Sequence, residues 1–291
     1  MMRIVLAIYR VRGALYFVAA GVLIGNALFG RLVTADGALP YRNVVVWVAM
    51  ALAALCVVLT YLVPRLLPQQ SSRSVLAPVV GRWQALNSPA SAVPSHGVRA
   101  YGQAYAIDLV YDDSQAPRPE FGQTMMSNPN KYPAFGQPVY AMIHGTVVRA
   151  SDWRRDHRTR SNVWGIVYMV IEGALRELGG PGFVIGNHVV IRGDDGVFAV
   201  VAHLKRGSVT VSVGQRIGAG ALVGYCGNSG NSSEPHVHAQ LMDRSSFWTG
   251  QGIPMGFSNI ANGDETTATS TELPENGEHL IARRPRTATE N

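Results

Sequence analysis

Two apolar stretches near the start constrain this chain more than anything after them. Residues 13–30, "GALYFVAAGVLIGNALFG", and 44–63, "VVVWVAMALAALCVVLTYLV", are each long enough to cross a hydrocarbon layer of about 30 Å at about 1.5 Å per residue. Arg3, Arg10 and Arg12 precede the first stretch, no small-x-small cleavage site follows it, and a second span comes after a short loop. Residues 1–70 therefore read as a two-helix transmembrane hairpin rather than a cleaved leader, which makes the lipid bilayer a partner. Arginines outside the hairpin (Arg3, Arg10, Arg12, Arg65, Arg73 and Arg82) face only Arg31 and Arg42 in its loop. Counted alone, that balance puts both ends in the cytoplasm.

The chain has 291 residues and a net charge of +6, yet only 15% of its residues are charged. It has no dense Lys/Arg stripe interleaved with aromatics, which argues against a nucleic-acid partner. A basic surface suits an anionic membrane face or an anionic polymer instead. The two cysteines offer no disulfide framework: Cys56 lies in an apolar run, and Cys226 reads as a small buried filler before a turn.

From 76 to 261 the pattern is mostly β, an antiparallel sheet or sandwich. Short runs such as "YAIDLVY", "PVYAMIHGTVVRA", "NHVVIRG", "VFAVVAHL" and "HVHAQLM" alternate with Gly, Asn and Pro turns. Residues 151–182 interrupt it with a charged loop and an apolar helix predicted over 163–178. This insertion is either a lid or membrane-surface contact, or a helix simply packed on the sheet. Residues 262–291 are polar and poor in core formers, and read as a disordered tail.

Five residues in the β region carry candidate chemistry: His96, Asp108, His203, His236 and His238. His236 and His238 are separated by one residue, so on a strand both rings project from the same face, about 7 Å apart at the backbone. A catalytic zinc site needs three protein ligands and an open position. Two imidazoles and a carboxylate would leave such a site at net +1 and acidify a bound water, while the other two histidines could handle protons and steady an oxyanion. Residue types alone leave this one possibility among several.

The order of motifs narrows it. "GNHVVI", "AHL", "VSVGQRIG" and "GNSGNSSEPHVH", preceded by "AYAIDLVY" and "QPVYAMIHGTVV", resemble the M23 family of zinc metallopeptidases, the LytM or lysostaphin type, over roughly residues 92–257. The resemblance implies Zn2+ held by Asp108 and His238, with His203 and His236 as catalytic residues. The first family ligand commonly sits four residues before the aspartate, where this chain has Ala104. "PSHGVRAYGQAYAID" resembles a variant with an earlier histidine, which makes His96 the third ligand. Gln240 stands where the family usually has glutamate, and keeps hydrogen-bonding capacity.

By that resemblance the chain is expected to be a membrane-anchored zinc metalloendopeptidase. It would cleave peptide bonds of peptidoglycan cross-links, or of another peptide substrate, with its peptidase domain extracytoplasmic despite the arginine count. The alternative is a non-catalytic LytM-type domain that binds wall peptide or regulates another hydrolase. The remaining histidines, His144, His157, His188 and His279, carry no expected role, His188 being read as a solvated strand residue. Asn187 and Asn228 are read as turn formers.

Overall fold

The computed structural model of the chain describes residues 2–32, 38–66, 70–262 and 272–284. It divides into two compact units, residues 1–69 and 70–291.

The first unit is a helical hairpin. Helices α1 (Met2–Phe29) and α2 (Leu39–Leu66) each hold 28 residues; α1 begins well before the first predicted span and α2 extends past both ends of the second. Small side chains let them pack: Ala19 and Ala49 are buried, with Cys56 and Val63 on α2. Arg12 is also buried between them, donating to Thr60 Oγ1 and to the Tyr9 carbonyl. The outward faces are apolar, with Val18, Ile24, Trp47 and Val58 exposed. Both helices are long and apolar enough to cross a membrane.

The second unit is built on one ten-stranded antiparallel sheet. Its strands are β1 (Gly81–Leu86), β2 (Ile107–Tyr111), β3 (Gly145–Ser151), β4 (His188–Arg192), β5 (Phe198–Ala202), β6 (Arg216–Ile217), β7 (Val237–Met242), β8 (Gly252–Ile253), β9 (Ile260–Asn262) and β10 (His279–Ala282). The order is β9-β10-β1-β2-β7-β5-β4-β3-β6, with β8 also paired to β7. Strand alternation sorts side chains to two faces. Trp83, Ile107, Leu109, Ile191, Val201, Val237 and Leu241 join the main core. Val75, Val139, Val223 and Phe257, from two small flanking sheets, complete that core. Burying each such side chain contributes about 1.5–3 kcal/mol.

The opposite face carries the chemistry. Backbone register places Asp108 opposite His238, His238 opposite Ala202, and Ala202 opposite His188, in one row across β2, β7, β5 and β4. Residues facing each other across antiparallel strands point to the same side.

Three expectations need correction. The tail is not wholly disordered: β10 pairs with β1 and β9, and Leu280 and Ala282 are buried. Four alternating residues suffice once an open strand edge receives them, though polar neighbours dominate the local composition; residues 263–271 and 285–291 lie outside those described. His188 is buried rather than solvated, its ring against Phe247 at 5.1 Å and its Nδ1–H donating to the Gly186 carbonyl. Asn187 is a buried bracket rather than a simple turn former. It accepts from the Arg154 amide and donates to the Arg154 and Leu204 carbonyls.

The insertion does contain a helix, α3 (Val163–Leu178), whose first turn Asn162 caps by accepting from the Gly165 amide. A short helix, α4 (Pro181–Ile185), follows and leads into β4.

Candidate metal centre

Asp108 and His238 meet because β2 and β7 pair in that register, and both are almost wholly buried. His238 Nδ1 lies 2.8 Å from Asp108 Oδ1. His96 arrives from the loop before β2, its Nε2 3.0 Å from Asp108 Oδ2. Donor atoms of His96, Asp108 and His238 all lie within 4.8 Å of one another.

The hydrogen bonds behind these rings decide which way their lone pairs face. Gln240 Nε2 donates to the Tyr101 carbonyl, which can only accept, so Gln240 Oε1 is turned to His238 Nε2 at 2.8 Å. His238 therefore carries its proton on Nε2 and presents a bare Nδ1 to Asp108. The same logic holds for His96. Ser95 donates its hydroxyl to the Gln103 carbonyl and accepts from His96 Nδ1–H at 3.0 Å, leaving Nε2 bare. Two imidazole lone pairs thus face a carboxylate at hydrogen-bonding distance. Such an arrangement repels itself unless a proton or a metal cation sits among the three, and two nitrogens with one oxygen are a suitable donor set for zinc.

His203 and His236 flank this cluster, their ring centroids 4.7 Å apart. His203 follows the last residue of β5 with φ at +59°, which turns its ring away from the strand direction. Its Nδ1–H donates to the Ser229 carbonyl. His236 Nδ1–H donates to the Glu234 carbonyl, and its Nε2 points to Asp108 Oδ1 at 3.5 Å. Both rings therefore also present Nε2 to the site. Four imidazoles converge on one small volume.

Electrostatics separates the two flanking rings. Burial, reinforced by the neighbouring His236 and His238, pulls His203 well below its ordinary value and keeps it neutral. Burial also disfavours charge on His236, but the Asp108 carboxylate outweighs it and raises the group. At Asp108 burial works against ionisation, and the surrounding histidines overcome it, holding the carboxyl well below the usual range.

All five predicted residues come together here. Sequence reasoning missed Asn87, just past β1, whose amide donates to Asp108 Oδ2 at 2.7 Å. A lone Asn after a strand signals only a turn, and nothing in its spacing betrays this contact. It also missed Tyr101, whose φ of +59° turns its carbonyl to Gln240. Gly102 follows at φ +74°, where any Cβ would lie 2.4 Å from Met242 Sδ. Among the described residues, His144 and His279 lie outside the cluster, and His279 pairs with Asp112. His157 bonds the Gly230 carbonyl, and Cys226 is a buried free thiol.

Residues 131–249 match the model of peptidase family M23. That stretch is similar to the M23 peptidase domain. The matched stretch holds His203, His236 and His238, while His96 and Asp108 lie before it, Asp108 reaching the centre through strand pairing and His96 from the preceding loop. The chain is 32% identical over 111 residues to glycyl-glycine endopeptidase ALE-1 of Staphylococcus capitis, covering 38% of this chain and 30% of that relative. It is 30% identical over 117 residues to lysostaphin of Staphylococcus simulans, covering 40% and 23%. The chain thus spans less than a third of the length of these curated relatives. The lysostaphin catalytic domain structure is similar at 19% identity over 63% of this chain and 88% of that one, with a TM-score of 0.31.

Proposed function

We propose that this M23 domain is a zinc-dependent peptide hydrolase carried on a membrane-spanning hairpin, acting on peptide cross-links of peptidoglycan. The observation that carries the reading is the set of inward-facing donors: His96 Nε2, Asp108 and His238 Nδ1, with His203 and His236 presenting Nε2 beside them. His96, Asp108 and His238 would hold the ion, which when bound polarises a carbonyl and acidifies a water. The neutral Nε2 of His203 can take a proton from an attacking water and return it to the leaving amine. His236, beside Asp108, can donate a hydrogen bond to charge developing on the carbonyl oxygen.

A glycyl-glycine endopeptidase among the relatives supports a scissile bond between small residues. Helices α1 and α2, each apolar and of spanning length, support the anchor, and a wall substrate requires the M23 domain to face outside the membrane.

The test is hydrolysis by the full chain purified in detergent, with pentaglycine and isolated peptidoglycan as substrates. New amino termini, abolished by chelation and restored by zinc, are expected. Zinc-loaded protein that releases none from either substrate would overturn the assignment.

A further inference from the structure

Helix α3 turns its apolar side to solvent. Val163, Trp164, Val170, Ile171, Leu175 and Leu178 are all exposed, Trp164 by 71% and Leu178 by 75%. With Val167 and Tyr168 between them, they recur every three or four residues and make one continuous face without a charge. The polar and small residues point inward instead. Glu172 accepts from Arg160 and Arg176, Gly165 abuts the Met125 carbonyl, and Gly173 abuts Asn231. A helix that only packs on a sheet would carry the reverse pattern.

We propose that this face of α3 lies in the interfacial layer of the bilayer that α1 and α2 cross; the proposal rests on the anchored reading above. Three observations favour lipid as the occupant. The first is composition beyond the helix: Trp153 packs on Phe183 at 6.1 Å, Arg154 stacks over both rings, and Trp248 reaches Gly180. Aromatics mixed with arginines are the signature of residues at a membrane–water boundary.

The second is reach. From Leu66, the end of α2, to Gln70, where the second unit begins, is four residues. Fully extended, they span about 14 Å. The tether between the spanning helix and residue Gln70 is therefore short.

The third is charge. Arg155 and Arg158, in the loop that leads into α3, are exposed and positive. Two copies apposed through this patch about a two-fold would bring these arginines against their own kind. An anionic leaflet complements them. Burial, with the nearby Glu177 carboxylate of α3, raises the Tyr101 hydroxyl, so α3 neighbours the loop supporting Gln240 and His238. Docking would hold that part of the M23 domain at the lipid surface.

The experiment reconstitutes the full chain into nanodiscs of phosphatidylcholine and phosphatidylglycerol, with or without lipids brominated near the headgroup. Tryptophan emission is compared among the parent chain, Trp164→Phe and Trp47→Phe. Trp47 lies on α2 and reports insertion of the hairpin. The expected result is loss of a blue-shifted, bromine-quenched component in each variant. Ile171→Ser with Leu175→Ser should release Trp164 from quenching while Trp47 stays quenched. A quenched Trp47 beside an unquenched Trp164 would overturn the docking and leave the anchor standing. An unquenched but blue-shifted Trp164 would place the helix against protein, and also overturns it. An unquenched Trp47 would remove the anchor and the docking together.

Discussion

Gln240 Oε1 lies 2.8 Å from His238 Nε2, and the other end of the same amide is held 2.9 Å from the Tyr101 carbonyl. This pair fixes the His238 tautomer, and with it the nitrogen offered to an ion. Gln240→Leu removes the acceptor and should weaken zinc affinity by about 10–100-fold. Gln240→Glu keeps an acceptor for His238 and should retain most of the affinity. Competition with a chromogenic chelator reads both. Equal loss in the two variants would point to general damage rather than to the lost acceptor.

Ligands and proton carriers should separate cleanly. Asp108→Ala and His238→Ala should each lose both zinc and hydrolysis. His203→Ala should keep zinc and lose about 10²–10⁴-fold in turnover, the usual contribution of a positioned acid or base. Metal analysis beside a peptide cleavage assay distinguishes the two classes. Full zinc retention by His238→Ala would remove it from the ligand set.

His188 makes stability depend on pH. Burial pushes its pKa down to about 4, below the ordinary value of 6.5. A histidine depressed in the folded state leaves the unfolded chain binding more protons between those values. Stability is therefore complete above pH 6.5 and falls as pH drops toward 4, by up to ~3 kcal/mol. His188→Gln, which keeps a donor for the Gly186 carbonyl, should lose less over the same range. Denaturation of both proteins in neutral detergent at pH 7 and pH 4.5 measures the difference, and parallel losses would refute the assignment.

Much of this centre was legible before any coordinates. The spacing of His236 and His238 determines that both rings share a face, and the order of the surrounding motifs identifies Asp108 and His203 as their companions. What escaped depends on contacts between distant segments. Asn87 reaches Asp108 only because β1 and β2 pair with Leu86 opposite Asp108. Residues 279–282 join the sheet because β1 leaves an edge for them, which a polar-rich tail does not advertise. His188 is buried because Phe247 folds over it. The apolar character of α3 is visible in the sequence, but which side it turns to the protein is not.

The central claim is that His96 replaces a ligand absent at Ala104. The direct test is the zinc content of the full chain in detergent, beside that of His96→Ala, by elemental analysis after removal of loosely bound metal. The account predicts one zinc per chain in the parent and a loss of more than about tenfold in the variant. Full zinc in His96→Ala, or none in the parent, would contradict it.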